Sequence, residues 1–312
     1  MNEPAPTGAG RLRTAARTIW LVLVAGFVVR YLSDNWDETS DYLDELSLWM
    51  VVGTIVAVNA GKFLVAEQVR WSLLTVGRRF SVARAFWIYT VSDAAKYVPG
   101  GVWGIMARVQ LYREEAIPVR ESARVFGLEK FWLVWSGFLS GVAFALPSLL
   151  SRADARWSAV PSGAVATTVG IVVLAAVWTV GMWIGHRVAL GHGPSPQLVL
   201  VTAAHQLGIA VFLGLSLWFP LATVLDADDI PLAIGAFGVA RSIGYVAFFA
   251  PAGIGVREAM VVWMLRGSVD TDDAILGAAA NRALTTAAEA IGLAIVFVVM
   301  RRHRTPGHEP AG

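Results

Sequence analysis

The stretch DAAKYVPGGVWG, residues 93–104, decides the fold of this chain. Asp93 and Lys96 stand directly before the Pro-Gly-Gly sequence at 99–101, and both flanks are apolar. Proline removes a helical hydrogen bond and glycine permits unusual dihedral angles, so a helix that reaches this point is expected to turn. In a membrane, charge and irregular backbone are tolerated only where they are buried in protein or line a wet cavity.

The composition around this stretch is that of a polytopic membrane protein. Only 15% of the 312 residues are charged and the mean hydropathy is +0.60, whereas a soluble domain is typically about one quarter charged. The chain has no cysteine, which excludes disulfides, zinc–thiolate sites and thiol nucleophiles. Its net charge of +2 gives no general nucleic-acid footprint, so nucleic acid is not an expected partner.

Six segments are apolar enough to cross a bilayer, which needs about 20 mostly apolar residues. They are about 14–32, 46–66, 122–147, 162–185, 198–222 and 274–300. The predicted fold class is therefore all-α, a polytopic membrane protein with a single transmembrane domain over 14–300. Residues 1–13 are predicted to be a disordered N-terminal segment, and 301–312 a basic tail.

Charges in the connecting segments predict the orientation, because cytoplasmic loops collect Lys and Arg. Arginines cluster before the first span, after the second and after the last, whereas 33–45 contains six acids and no base. The segments 225–231 and 269–273 are also purely acidic. Both termini are therefore expected in the cytoplasm and the acidic segments outside. The segment 148–161 is an exception, since it is external by count but carries two arginines.

Two further apolar regions, 82–113 and 231–268, are each interrupted near the middle by a Pro-Gly cluster. The first has basic residues at both ends and the second acidic residues at both ends, so each is predicted to enter and leave on one side as a re-entrant helical hairpin. Three predicted spans separate the hairpins, and this odd number inverts the second relative to the first. Inverted repeats with broken helices are typical of many transporters.

Ionisable residues flank both predicted turns, and six uncompensated charges would cost about 15–20 kcal/mol in the bilayer. They must pair, face water or meet a charged ligand. The arginines outnumber the acids that remain once Lys96 pairs with Asp93, and Arg binds phosphate bidentately, so an anionic head group is expected. The candidate substrate-binding residues are Asp93, Lys96, Pro99, Gly100, Gly101, Trp103, Arg108, Arg241, Pro251, Gly253, Gly255, Arg257, Glu258, Arg282 and Glu289.

Other interpretations of single residues stay open at this point. Lys96 and Asp93 can form a purely structural salt bridge, and Arg108 can extend to the cytoplasmic surface. Lys62, near the end of the second span, is predicted to be an interface anchor. The sequence has no P-loop and no catalytic motif, so no catalytic residue, metal or cofactor is predicted. The two aspartates at 228–229, in a segment predicted to be external, leave a metal-dependent glycosyl transfer site as an alternative.

Two longer stretches resemble a known family. AAKYVPGGVWGIMARVQL at 94–111 and FFAPAGIGVREAMVVWML at 248–265 are similar to the paired signatures of the lysylphosphatidylglycerol synthase transmembrane-region family, also described as a flippase-like domain. The Pro-x-Gly-x-Gly-x-Arg-Glu pattern at 251–258 is the more specific of the two. Trp103 departs from the pattern, because it stands where the second stretch has Gly255.

The resemblance implies an activity and a location. It implies a non-enzymatic translocase of the bacterial inner membrane that moves a phospholipid or a polyprenyl-phosphate-linked lipid between leaflets. It also implies that the soluble synthase domain of the bifunctional members is absent, so a separate lipid-modifying synthase or glycosyltransferase is an expected partner. The alternatives are a membrane-embedded glycosyltransferase-like enzyme and a partner protein that transports nothing.

Overall fold

The computed structural model describes residues 33–97, 103–156, 163–247 and 250–303, together with the separate positions 18, 22–23, 26 and 29–31. The residues from 33 to 303 that it describes form ten α-helices. In chain order these are α1 (Trp36–Glu45), α2 (Leu48–Leu74), α3 (Val82–Ala94), α4 (Trp103–Glu114), α5 (Val119–Arg156), α6 (Ala164–Leu190), α7 (Pro196–Trp218), α8 (Ile230–Val246), α9 (Val256–Leu265) and α10 (Thr271–His303).

Five of these helices are long and apolar enough to cross a membrane, namely α2, α5, α6, α7 and α10. They coincide with five of the six predicted spans, and the chain is a polytopic helical protein. The sixth predicted span, 14–32, falls mostly on residues outside the described part of the chain, as do the segment 1–13 and the tail beyond 303. Helix α2 runs to Leu74, past the predicted end at residue 66.

Local sequence signals set several helix ends. Ser81 caps α3 by accepting a hydrogen bond from the Arg84 amide at 3.2 Å, and Ser195 caps α7 directly before a proline in its first turn. Helix α6 ends at Gly191, which adopts φ +85°, a conformation that glycine reaches without steric cost. The acidic segment predicted as a loop at 33–45 is mostly helical, with two acids in the first turn of α1 that suit the helix dipole.

Helices α3 and α4 form the first of two short pairs. Arg84, at the start of α3, contacts Glu115 just beyond α4 (Nε to Oε1, 2.5 Å), and Ser92 near the end of α3 accepts from Arg108 in α4 at 2.8 Å. This reversed order of contacts makes the two helices antiparallel. The 13 residues of α3 extend about 20 Å, which is less than the hydrocarbon core. The turn itself, residues 98–102, lies outside the described residues.

Helices α8 and α9 form the second short pair, joined by a 3₁₀ turn at Pro251–Gly253. Gly253 packs against Gly244, near the end of α8, and the Arg257 side chain of α9 reaches back to the ring of Phe237. The two short pairs meet, because the 3₁₀ turn that follows α3, Ala95–Tyr97, contacts the turn at Pro251–Gly253. We call these two 3₁₀ turns the first tip and the second tip.

The helix bounds recur at the spacing of 152 residues that separates the two predicted turns. Helix α3 ends at residue 94 and α8 at 246, and α5 begins at 119 and α10 at 271. The helix contacts recur in the same correspondence: α5 packs on α8 as α10 packs on α3, and α2 packs on α10 as α7 packs on α5. The corresponding helices α2 and α7 are themselves antiparallel neighbours, since Gly53 faces Phe219 and Gln68 bonds Thr202.

Small residues hold α5 and α8 closely together. A Cβ atom added at Gly141 would lie 2.7 Å from the backbone nitrogen of Val239, and one added at Gly238 would lie 2.8 Å from the carbonyl of Gly137. Backbones that approach this closely are typical of membrane helix interfaces rich in small residues. This interface therefore fixes α8, which leads into the second tip, against a long spanning helix.

Candidate functional site

Four charged side chains form a closed ring at the first tip. The Lys62 Nζ atom lies 2.5 Å from Asp93 Oδ2 and 3.0 Å from Glu289 Oε1, and the Lys96 Nζ atom lies 3.1 Å and 2.8 Å from the same two oxygens. Each cation thus contacts both acids. We call these four residues the first-tip ring, and within it two positive and two negative charges balance.

The first-tip ring draws on three helices and the first tip. Lys62 comes from α2, Asp93 from α3, Lys96 from the first tip and Glu289 from α10. Three of the four, all but Lys96, line a cavity of about 230 Å³ whose walls also include Asn59 and apolar residues. The ring therefore ties the first tip to two long helices at the wall of an internal space.

Lys62 is the ring member that the sequence interpretation missed. It was predicted to be an interface anchor, but α2 continues to Leu74, so Lys62 lies roughly 18 Å before the end of the helix. Its partners are distant in sequence, 31 residues away in the case of Asp93. The available signal was a lone lysine inside an apolar segment, which is a site hypothesis by default.

Two glycines of the second signature adopt positive φ at the second tip. Gly253 has φ +69° and Gly255 has φ +83°, and Ala252 between the helices also has a positive φ, +52°. A Cβ at Gly253 would lie 3.1 Å from the Cα of Gly244, so this position also needs glycine for close approach. Pro251 opens the same 3₁₀ turn. The signature therefore shapes the backbone of the second tip.

The Arg257 guanidinium is held by neutral groups. Its Nη2 atom donates to Asn281 Oδ1 at 2.7 Å, and its Cζ atom lies 4.4 Å from the ring centroid of Phe237. Asn281 is buried and donates in turn to the carbonyl of Ser216 at 2.7 Å. Asn281 is a further residue that the sequence interpretation did not single out. These consecutive hydrogen bonds fix the position of Arg257 without cancelling its charge.

Glu258 and Arg282 complete the second tip. Glu258 accepts a hydrogen bond from the Gly255 amide at 2.7 Å, which caps α9. Its other oxygen lies 3.9 Å from Arg282 Nη1, and Arg282 also donates to the Ala252 carbonyl at 3.4 Å. We call Arg257, Glu258, Asn281 and Arg282 the second-tip cluster. Arg282 and Glu289 share a helix, but each turns to a different tip.

Arg241 and Lys130 lie beside one aromatic ring. The Arg241 Cζ atom is 5.3 Å and the Lys130 Nζ atom 5.4 Å from the ring centroid of Tyr245, whose side chain is 42% exposed. Within the described part of the chain, neither cation has a carboxylate oxygen within 4.0 Å. We call Arg241 and Lys130 the Tyr245 pair. Both attractions are of the cation–π type, which leaves the charges uncancelled.

Arg108 occupies a different environment, because it is 2% exposed and paired. It donates to Glu129 Oε2 and to the Tyr112 hydroxyl, both at 3.0 Å, and the Tyr112 and Ser72 hydroxyls donate to Glu129 Oε1. Arg108 therefore does not extend to the surface. The pair joins α2, α4 and α5 in the protein interior, with its hydrogen-bonding capacity largely used.

The remaining residues of the sequence prediction are Trp103, the Pro-Gly-Gly turn and the acidic pair at 228–229. Trp103 is the first residue of α4 and is 44% exposed. Pro99, Gly100 and Gly101 lie outside the described residues, so their predicted turn has no structural description. Asp228 and Asp229 form a short 3₁₀ turn before α8. No group of three or more His, Cys, Asp or Glu side chains that could hold a metal occurs among residues that the structure describes.

The charges at the two tips form one electrostatic network. The two tips contact each other, Lys130 and Arg241 lie beside the Tyr245 ring of α8, and Arg257 packs on Phe237 of the same helix. The structure thus brings together the first-tip ring, the Tyr245 pair and the second-tip cluster, although they come from six helices and one turn. It leaves Arg108 apart. Six cations face three carboxylates in this network: Lys62, Lys96, Lys130, Arg241, Arg257 and Arg282 against Asp93, Glu258 and Glu289.

No protein-family model matches this chain, and no curated protein matches it either. The functional interpretation therefore rests on the geometry of the two tips.

Proposed function

We propose that this protein is a non-enzymatic lipid translocase, which moves a lipid with an anionic phosphate head group between the leaflets of the bacterial inner membrane. The observation that carries the proposal is the excess of cations where the two tips meet. A bilayer interior disfavours unpaired charge by about 2.5–3.5 kcal/mol per residue, so an uncompensated cation cluster there needs an anionic ligand. Arg binds phosphate bidentately and keeps its charge when it is desolvated.

The short helix pairs support a re-entrant arrangement for this proposal. Helices α3, α4 and α9 have 13, 12 and 10 residues, so each extends about 15–20 Å and falls short of the hydrocarbon core. The two helices of each pair run antiparallel, so the chain reverses its direction at each turn. In this proposal, 82–113 enters from the cytoplasmic side and 231–268 from the outside, and the tips meet inside the bilayer.

The recurrence of helix contacts supports an inverted repeat. Helices α2 to α5 correspond to α7 to α10, and the corresponding helices α2 and α7 run in opposite directions. When α2 to α5 are exchanged with α7 to α10, each of these helix contacts corresponds to another helix contact that the structure contains. A pseudo-two-fold axis in the membrane plane gives this pattern, and transporters use it to open alternately to the two sides. The paired signatures at 94–111 and 248–265 add the family resemblance to the same proposal.

Arg257 is the residue whose replacement tests the proposal best. We expect the purified full-length protein, reconstituted in liposomes, to move a fluorescent phosphate-containing lipid faster than protein-free liposomes do. Movement is measured by protection from a membrane-impermeant quencher. The Arg257→Gln variant should lower the rate about tenfold or more, because one charged hydrogen-bond donor to the head group is lost.

Arg79→Gln is the matched control, since Arg79 is an exposed arginine of the α2–α3 connection without an ion pair among the described residues. It should leave the rate unchanged. A wild-type rate in Arg257→Gln protein that unfolds at the wild-type temperature would contradict the site assignment. A wild-type protein that moves no lipid but copurifies with a synthase would contradict translocation and favour the partner role.

A further inference from the structure

The charge balance between the tips bears on which phosphate lipid is bound, a question that rests on the proposed function. Each acid of the first-tip ring contacts two lysines, and the ring is neutral by itself. In the second-tip cluster, Glu258 lies nearest to Arg282, at 3.9 Å. Three acids thus balance three of the six cations.

Among the residues that the structure describes, three cations of this network have no carboxylate oxygen within 4.0 Å, namely Lys130, Arg241 and Arg257. Arg257 has an amide and an aromatic ring as partners, and the other two share the Tyr245 ring. The three cations lie along one helix, because Lys130 and Arg241 share the Tyr245 ring of α8 and Arg257 packs on Phe237 and Gly244 of the same helix. A ligand placed between the tips therefore meets an excess of three positive charges.

Residues 98–102 and 248–249, which lie outside the described part of the chain, contain only Val, Pro, Gly and Phe and add no charge. The buried Arg108–Glu129 pair contributes equal and opposite charges. The excess of three positive charges therefore holds for the described residues of the network.

Head groups differ in how much of this excess they neutralise. A phosphodiester carries about one negative charge. A phosphomonoester carries about 1.5 to 2 near neutral pH, and it has one more terminal oxygen for an Arg or Lys to bind. A phosphodiester would leave about two charges unbalanced inside the bilayer, where each is costly.

We infer that this site takes a lipid whose head group ends in a phosphomonoester or a diphosphate, in preference to a phosphodiester phospholipid. Lys130, Arg241 and Arg257 hold the terminal phosphate. The Tyr245 ring lies beside both Lys130 and Arg241. The shared chemistry is a terminal phosphate, and its source is a polyprenyl phosphate or a phosphatidate.

Titration of the purified full-length protein with defined lipids, followed by native mass spectrometry, tests this inference. The probes are phosphatidylglycerol, phosphatidate with the same acyl chains, and a polyprenyl phosphate. We expect phosphatidate to bind about tenfold more tightly than phosphatidylglycerol. If the polyprenyl phosphate binds more tightly still, the lipid chain contributes as well; equal affinity for both would identify the phosphate alone as the determinant.

Charge-neutral variants locate the preference. Arg241→Gln and Lys130→Gln should each reduce the preference for phosphatidate over phosphatidylglycerol about three- to tenfold, while Arg79→Gln should leave it unchanged. Lowering the pH to 5 should also reduce the preference, because the phosphomonoester then loses its second charge. Phosphatidylglycerol measured at the same pH controls for titration of the protein itself.

Two results separate this inference from the function on which it rests. Equal binding of phosphatidylglycerol and phosphatidate, with lipid movement intact in liposomes, would overturn the inference and leave the translocase proposal standing. Binding of none of the three lipids, with no lipid movement, would overturn both.

Discussion

The two halves of the molecule place opposite chemistry at corresponding positions. Tyr89 and Asp93 of α3 correspond, 152 residues on, to Arg241 and Tyr245 of α8. At the first tip the ring charges are cancelled, because Lys62 and Lys96 each contact two acids. In the second half Arg241 and Arg257 contact aromatic and amide groups, which do not cancel their charges. The two short helix pairs thus carry a neutral ring at the first tip and an excess of positive charge beside the second.

This difference separates two roles for charge in a membrane. A balanced and hydrogen-bonded set fixes helices relative to one another, and it needs no ligand. An unbalanced set retains a free energy cost until an anion arrives, so it favours binding. Variants of the balanced ring and of the unbalanced cations should therefore fail in different ways, through stability for the ring and through lipid movement for the unbalanced cations.

The largest effect is expected at the buried pair of the first half. Glu129→Ala should lower the free energy of unfolding by about 3–5 kcal/mol, because Arg108 would be left as a buried, uncompensated charge. Unfolding of the purified protein by heat or denaturant measures the loss. The Arg108→Met, Glu129→Met double variant removes both charges and should recover much of the stability. A Glu129→Ala protein as stable as wild type would show that Arg108 is not buried as described.

A smaller loss is expected where α5 of the first half meets α8 of the second. Gly141→Ala places a Cβ 2.7 Å from the Val239 nitrogen and 2.9 Å from the Gly235 carbonyl, so the helices must separate. Overpacking of this kind costs about 1–3 kcal/mol. The matched control is Gly127→Ala in the same helix, where nothing lies within 4 Å and alanine favours the helix by about 1 kcal/mol. Equal unfolding temperatures for the two variants would contradict the close packing.

Local signals predicted much of the fold, and they did so for a physical reason. Hydropathy is a property of neighbouring residues, and Pro and Gly change the backbone at their own positions. Five helices long and apolar enough to span a membrane, and the two interrupted regions, could therefore be predicted. The ring partners could not. Lys96 and Glu289 are 193 residues apart, and their contact depends on how α10 packs against α3.

The same difference between local signals and tertiary contacts applies to the candidate site. The second signature predicted the glycine turn and Arg257, because the backbone conformation there is a local requirement. Asn281 lacked such a signal, since its role comes from the neighbours that tertiary packing supplies. Arg108 was predicted to bind a head group, but in the structure its guanidinium pairs with Glu129, which lies 21 residues later in the chain. Sequence alone gives the charges, and packing decides which of them are cancelled.

The contrast between the halves can be sharpened with one neutral substitution in each. Lys62→Gln leaves two acids to share Lys96, so it should lower the free energy of unfolding by about 1–3 kcal/mol. Arg241→Gln removes a cation that has no acid partner, so its stability should change by about 0.5 kcal/mol or less. Lipid movement, normalised to folded protein, should fall about tenfold in Arg241→Gln. The reverse pattern, an unstable Arg241→Gln and a stable Lys62→Gln, would invert the assignment of roles.

The smallest effect is expected at the aromatic ring that carries the two unpaired cations. Tyr245→Phe keeps an aromatic face near Lys130 and Arg241, so the affinity for phosphatidate should stay near the wild-type value. Tyr245→Leu removes the ring quadrupole, and with it about 0.5–1 kcal/mol of attraction for each cation at a partly exposed position. The two cations would then be held less firmly, and the affinity should fall about two- to fivefold. Native mass spectrometry of both variants measures this, and equal affinities for Phe and Leu would show that the ring acts only as an apolar spacer.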